Sequence, residues 1–252
     1  MPKITTGNLN YASPTENASR NNLCKLLKDS PIPDEGLLSN LGLFLNSKNL
    51  SRILFMDFLY REAVDVQGVV MDFGARWGQN MALFAALRAI YEPYNRHKKI
   101  IGFDTFSGFP NVSKIDGHSV IMEAGSISVT QDYQRHLDEI MKAQEGDNPL
   151  SHIKKYEIVA GDATKTIHNY LDRHPHTIVA LAFFDFDLYE PTKACLEAIK
   201  PRLTKGSVLG FDELNDHDSP GETIALNEVF GLGNIRLKRH RYTSRVSYFV
   251  VE

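Results

Sequence analysis

Leu181-Ala-Phe-Phe-Asp185-Phe-Asp187-Leu-Tyr-Glu190-Pro191-Thr192 decides the fold. An apolar run from Ile178 to Phe184 ends in two aspartates two positions apart. A helix start follows at once, with Pro191 in its first turn. Residues i and i+2 of an extended segment point the same way, so Asp185 and Asp187 face one cleft at the carboxyl end of a buried strand. In open α/β sheets ligands bind at that edge. A second run, Ser207-Val-Leu-Gly-Phe211, ends in Asp212-Glu213. Four carboxylates at the ends of two apolar strands repel one another unless a cation or a proton lies among them. Helix caps and solvated loop charges would account for one such acid, but less well for two strand-end pairs.

Outward from that stretch the chain alternates strand and helix. Val69–Met71, Ile100–Phe103, Tyr156–Ala160, Ile178–Phe184 and Val208–Phe211 read as strands. Helical spacing is expected over Asn80–Tyr91, Ala163–Leu171, Glu190–Ile199 and Thr223–Phe230. Ile235–Arg239 and Val246–Val251 look like an antiparallel pair. This pattern predicts an α/β fold: a doubly wound, mostly parallel seven-stranded sheet with an antiparallel last strand. Residues 111–150 interrupt the alternation with loops and a helix from Gln131 to Lys142. Residues 1–22 are polar and read as an arm, disordered or laid on a partner subunit. Leucines and aromatics at spacings of three and four over 36–64 are helical and need something to bury against. The expected division is a helical extension over 1–64 and a sheet domain over 65–252.

The composition is that of a soluble globular protein, with 23% charged and 42% hydrophobic residues. A net charge of −3 implies no general attraction to nucleic acid or to an anionic membrane. Arg236, Lys238, Arg239, His240 and Arg241 form a local basic cluster, read as one solvated strand face. Two cysteines, Cys24 and Cys195, make no disulfide framework, and no leader or membrane-length apolar run is visible. A cytoplasmic location is expected.

The first strand ends Met71-Asp72-Phe-Gly74-Ala75-Arg76-Trp77-Gly78-Gln-Asn80. Gly74 and Gly78 let the backbone approach a ligand at the start of a helix. This is not the three-glycine loop of a pyrophosphate site. The acid at the strand end, Asp72, suits a ligand with a cationic amine. Asp104, followed by Thr105, ends the second strand, where an acid accepts the hydroxyls of a ribose. Asp162-Ala163 follows the third, where Asp162 either meets an exocyclic amine such as that of adenine or simply caps a helix. Read together, these ends suit adenosine joined to an amino-acid-like group, that is, S-adenosylmethionine. Gly74, Ala75, Trp77, Gly78 and Asn80 would line its pocket.

Gly102-Phe-Asp-Thr-Phe-Ser-Gly-Phe-Pro110, Phe184-Asp-Phe-Asp-Leu-Tyr-Glu-Pro-Thr192, and Asp212-Glu213 with Pro220-Gly221 resemble the macrocin O-methyltransferase-type sugar methyltransferases. Within that group the chain is most similar to the calicheamicin-pathway rhamnosyl O-methyltransferase type, through Arg88–Tyr94 and Ala194–Ile199. The resemblance spans about residues 48–232 and implies a class I methyltransferase fold using S-adenosylmethionine and, in the family's best-understood members, a divalent metal. By position it implies Asp104 on the ribose, Asp162 and Ala163 beside the adenine, and Gly74 and Gly78 shaping the methionine pocket. Asp185 is implied both beside the donor and as a metal ligand with Asp212 and Glu213, and Asp187 as general base. Glu213 departs from the family's second aspartate by one methylene.

Methyl transfer to a sugar hydroxyl needs alignment of donor and acceptor and removal of a proton. Mg²⁺ on Asp185, Asp212 and Glu213 would orient two vicinal hydroxyls and acidify one. His217 is the rival base to Asp187. A nicotinamide-dependent oxidoreductase and a non-catalytic nucleoside-binding relative are the alternative functions. The first leaves the second set of acids unexplained, and the second leaves their repulsion without purpose. The expected partners are a small sugar or glycoside acceptor and further copies of the chain, in a homo-oligomer of two or more.

Overall fold

The computed structural model describes residues 12–119, 121–243 and 245–252. Residues 55–252 gather into one compact unit and residues 12–54 into another. The larger unit therefore begins inside a helix, earlier than the pattern change near residue 65 suggests. The reason is packing: Phe55, Met56, Leu59 and Tyr60 are buried in its core.

Seven strands form one sheet: β1 (Val69–Phe73), β2 (Ile100–Asp104), β3 (Tyr156–Ala160), β4 (Val179–Phe184), β5 (Leu203–Phe211), β6 (Lys238–Arg239) and β7 (Ser247–Val250). Their order is β3-β2-β1-β4-β5-β7-β6. The first five run parallel, and β7 lies antiparallel between β5 and β6. The chain leaves β1 toward β2 and β3, then returns to the other side of β1 for β4. That reversal opens a crevice at the carboxyl ends of β1 and β4.

The strands alternate faces, as a period of two requires. Met71, Phe73, Ile101, Phe103, Phe184 and Phe211 face one layer, where α6 (Ala163–Arg173), α7 (Tyr189–Ile199) and α8 (Gly221–Phe230) pack. Val70, Ile100, Leu181, Phe183 and Val208 face the other, with the end of α3 (Ser47–Glu62), α4 (Gln79–Tyr91) and α5 (Tyr133–Asp147). On the first face a row of rings crosses five strands. Phe103, Phe73, Phe184, Phe211 and Phe249 stack successively at centroid distances of 5.0, 4.7, 5.1 and 6.2 Å. One residue beyond this row come Asp104, Gly74, Asp185 and Asp212.

Two segments differ from the sequence reading. Residues 1–11 of the expected arm lie outside the described residues, but Pro14–Lys28 is a helix, α1. Ser13 Oγ accepts the Glu16 N–H at 3.2 Å and Glu16 Oε2 accepts the Ser13 N–H at 2.7 Å, a reciprocal cap that offsets the weak apolar periodicity. The insertion helix α5 continues past Lys142 to Asp147 because Glu145, only 4% exposed, is anchored there. It is ion-paired to Arg88 of α4 and to Lys155 at 2.6 Å.

The smaller unit carries α1, the short α2 (Asp34–Leu37) and a 3₁₀ stretch over Leu38–Phe44, none with a buried side chain. Leu38 and Leu43 are 79% and 65% exposed. Among the described residues no helix is long and apolar enough to cross a membrane. The basic cluster is only partly a solvated face: Arg236, Arg239 and Arg241 are exposed, but His240 is buried with its ring 5.0 Å from those of Phe55 and Phe58.

Candidate active site

At the first strand end the backbone turns under strict steric limits. Gly74 has φ +91°, and a Cβ there would stand 2.1 Å from the Asp185 carbonyl oxygen. The loop after β1 and the loop after β4 therefore touch backbone to backbone. Gly78, at φ +76°, is the residue before α4, and a Cβ there would meet Leu137. Asp72 is fully buried and Asn80 nearly so; Asn80 Nδ2 donates to Asp72 Oδ1 at 3.1 Å. This pair braces β1 against α4 and fixes the Asp72 carboxyl at the strand end. Trp77 is 36% exposed and edge-on to Tyr133, whose hydroxyl donates to the Trp77 carbonyl. Ala75 is buried, with its N–H directed to the Phe103 carbonyl.

Asp104 accepts two backbone amides, from Arg76 at 2.8 Å and from Phe106 at 2.6 Å. Burial pushes its carboxyl above the usual range, and those two amides oppose the rise. The neighbouring Thr105 hydroxyl donates to the Gly108 carbonyl and so builds the turn. Asp162 is the N-cap of α6: its Oδ1 accepts from the Thr164 amide and hydroxyl at 3.0 and 2.7 Å. Its Oδ2 lies 3.9 Å from Lys165, and Ala163 begins the helix as a buried residue. Carboxylate acceptors at the ends of β2 and β3, beside a glycine turn after β1, are the groups that ribose hydroxyls and an adenine amine need. This donor set fits S-adenosylmethionine.

Across the crevice the acids meet one another. Asp187 is 7% exposed and takes φ +61°, a left-handed conformation unusual for an L-residue. Burial first, and then the charges of Asp212 and Asp216, push its carboxyl up to about 7; Arg245 and Arg76 pull the other way. Arg76, itself at φ +46°, is lowered by burial and supported by the charges of Asp185, Asp104 and Asp187. It stands between the two groups of acids. His217 is exposed on the loop after β5.

The expected metal ligands are held differently from a cation site. Glu213 is ion-paired to Arg245, whose guanidinium also lies 3.8 Å from Asp212 Oδ2. No group of three or more acidic, histidine or cysteine side chains placed to hold a metal occurs among the described residues. The carboxylates of Asp185, Asp212 and Glu213 thus do not fit Mg²⁺ as they stand, because a protein cation occupies the pair.

Two acids that the sequence reading passed over enter the site. Glu222, from the first turn of α8, is 0% exposed and its Oε1 accepts the Phe186 N–H at 3.0 Å. Asp116, from the insertion, is 2% exposed and its Oδ1 accepts the Tyr189 N–H at 2.6 Å. The only sequence signal for Glu222 is its place beside the Pro220-Gly221 helix start; for Asp116 it is Ser113-x-x-Asp116, a capping pattern.

No family model matches the chain. No curated protein matches it either. Among solved structures it is similar to CalS11, a calicheamicin methyltransferase, at 44% identity and TM-score 0.93, over 96% of this chain and 94% of that one. An apo structure of CalS11, there described as a TDP-rhamnose 3'-O-methyltransferase of calicheamicin biosynthesis, gives 42% identity and TM-score 0.85 over 96% of each chain. The O-methyltransferase NovP, at 16% identity and TM-score 0.60 over 80% of each chain, shares the fold. None of these is an oxidoreductase.

Proposed function

This chain belongs to the family of calicheamicin-type sugar O-methyltransferases that CalS11 represents, and we propose that it methylates a hydroxyl of a nucleotide-linked deoxysugar of the TDP-rhamnose kind. The observation that carries the reading is the likeness to CalS11 along nearly the whole chain, with a row of strand-end acids lying across the switch point. When bound, S-adenosylmethionine supplies an electrophilic methyl group on a sulfonium. Asp104 accepts the ribose hydroxyls with the lone pairs its two amide bonds leave over, and Asp162 Oδ2 takes the adenine amine while Oδ1 keeps the helix cap. Asp187 takes the acceptor's proton. A base whose carboxyl is raised to about 7 is matched to work near neutral pH, better than an ordinary aspartate. Arg76, between the donor and acceptor acids, balances charge across the crevice.

Magnesium has no step in this scheme, because Arg245 holds Asp212 and Glu213. The exposed leucines of residues 12–54 support a homo-oligomer, which light scattering measures. The deciding experiment for function is mass spectrometry of TDP-linked deoxysugars incubated with the enzyme and S-adenosylmethionine. Addition of one methyl to a TDP-sugar is expected. A panel in which free sugars and glycosides are methylated and TDP-sugars are not would overturn the carrier assignment.

A further inference from the structure

Something must hold Asp187 in its left-handed conformation. Two buried carboxylates from distant parts of the chain are placed to do so. The Glu222 bond to the Phe186 N–H pins the peptide joining residues 185 and 186. The Asp116 bond to the Tyr189 N–H pins the peptide joining residues 188 and 189. Asp187 lies between the two pinned planes.

Each acid is itself fixed. Asp116 Oδ2 accepts the Ser113 N–H at 2.6 Å and the Ser113 hydroxyl at 2.7 Å, which leaves Oδ1 aimed at Tyr189. Glu222 is carried on α8, and the Gly221 backbone before it packs directly on the same turn. A Cβ at Gly221 would lie 2.6 Å from the Tyr189 nitrogen, 2.9 Å from Asp116 Oδ1 and 3.1 Å from the Asp187 carbonyl oxygen. The second Glu222 oxygen, Oε2, is buried and has no hydrogen-bond partner among the described residues. A fully buried carboxyl with one oxygen spent on a backbone amide of the site loop and the other unmatched is costly unless the first contact is needed.

We propose that Asp116 and Glu222 are positioning residues for methyl transfer: they clamp the 185–189 turn from both sides and so aim the Asp187 carboxylate at the acceptor hydroxyl. This rests on the reading of Asp187 as the base. Burial, then the charges of Asp187 and Asp185, push Glu222 well above the usual carboxylate range. Burial and those charges thus favour its neutral form. The clamp also gives the insertion a task, since Asp116 brings it onto the β4 end.

The test compares Glu222→Leu, Glu222→Gln, Asp116→Ala and Asp187→Asn in the full chain. It measures kcat, acceptor KM and calorimetric affinity for S-adenosylhomocysteine, with circular dichroism to confirm folding. Removal of either acceptor oxygen, in Glu222→Leu or Asp116→Ala, should lower kcat by about tenfold to a hundredfold, the scale of a displaced catalytic group. Donor affinity should stay within about twofold, because the acids proposed to hold the nucleoside, Asp104 and Asp162, lie at the ends of β2 and β3. Glu222→Gln keeps a neutral side chain with an acceptor oxygen and should recover most of the kcat lost in Glu222→Leu. If the leucine variant does not fold, the glutamine and Asp116→Ala variants still decide. An inactive Asp187→Asn beside fully active, folded Asp116→Ala or Glu222→Leu overturns the clamp alone. A glutamine variant as slow as the leucine one also overturns it. A fully active Asp187→Asn overturns the base itself, and the clamp with it.

Discussion

The ends of β2 and β3 carry aspartates, and so do the ends of β4 and β5, but the two halves of the crevice hold them in opposite ways. Asp104 and Asp162 are satisfied by backbone amides, one of them two residues on in each case. The acids after β4 and β5 face one another and are balanced by side chains from far away in sequence: Arg76 and Arg245 as counter-charges, Asp116 and Glu222 as backbone clamps. Backbone amides fix where such an acid points, and at Asp104 they oppose the rise that burial imposes, which suits a fixed acceptor in a donor pocket. Asp187, buried among other acids, has its proton affinity raised by burial first and then by their charges, as a base needs. One residue type thus serves two purposes according to what surrounds it.

The sharpest way to break this contrast is at Asp187. Asp187→Asn keeps the shape and removes the base, so kcat should fall by about 10²–10⁴, while calorimetry finds donor affinity unchanged. Asp104→Ala should do the reverse. Loss of charge-assisted hydrogen bonds, ~1.5–3 kcal/mol each, weakens donor binding by about tenfold or more. Calorimetry checks it, and an unchanged affinity would remove Asp104 from the donor site.

The pH dependence follows from the direction of the shift. Because Asp187 is raised to about 7, it is protonated and inactive as a base below that value. In a kcat/KM profile the rate should climb about tenfold per pH unit up to near 7 and then level. The linked stability has the opposite sense. A carboxyl whose folded pKa is raised binds its proton more tightly in the folded state, so its contribution is complete below the unfolded value near 4 and is lost as pH rises through about 7. Asp187→Asn should therefore gain Tm over the parent at pH 8 and not at pH 4, by about 2–4 °C per kcal/mol relieved.

Smaller effects test the counter-charge and the cap. Arg245→Ala releases Asp212 and Glu213. Affinity for Mn²⁺, read by paramagnetic resonance, should rise about fivefold, the worth of one partly exposed ion pair near 1 kcal/mol. Equal affinity in parent and variant would mean that Arg245 does not compete for the pair. Asp162→Ala should cost about 1 kcal/mol of unfolding free energy through the lost N-cap, measured by denaturant titration.

The same contrast explains what was legible in the sequence. Strand ends, glycine turns and the acids beside them are local patterns, and the donor half is made of local contacts. The acceptor acids were visible as residues, but their partners were not. Arg245 sits in a closing hairpin, Asp116 in an insertion, and Glu222 in the first turn of a helix, where an acid is ordinarily a surface charge favoured by the dipole. Each reaches the site only through tertiary packing. Glu145 extended α5 beyond its expected end for the same reason: its partners, Arg88 and Lys155, lie on other elements. The α1 cap is different, because Ser13, Pro14 and Glu16 stood in plain order. A helix with no buried face simply lacks the apolar rhythm by which helices are usually found.

The row of stacked phenylalanines under the site has a consequence for how the enzyme fails. The amides of Gly74, Asp185 and Asp212 continue the sheet ladder, donating to the carbonyls of Phe103, Phe73 and Phe184 at 2.9, 2.8 and 3.0 Å. The reactive edge is therefore not a loosely attached loop that can fray while the rest stays folded. It is hydrogen-bonded into the sheet, so those three amide protons should be among the last to exchange with deuterated solvent, opening only with the whole domain. On heating, loss of activity and loss of the sheet should coincide, with no range of temperature in which a folded but disabled enzyme accumulates.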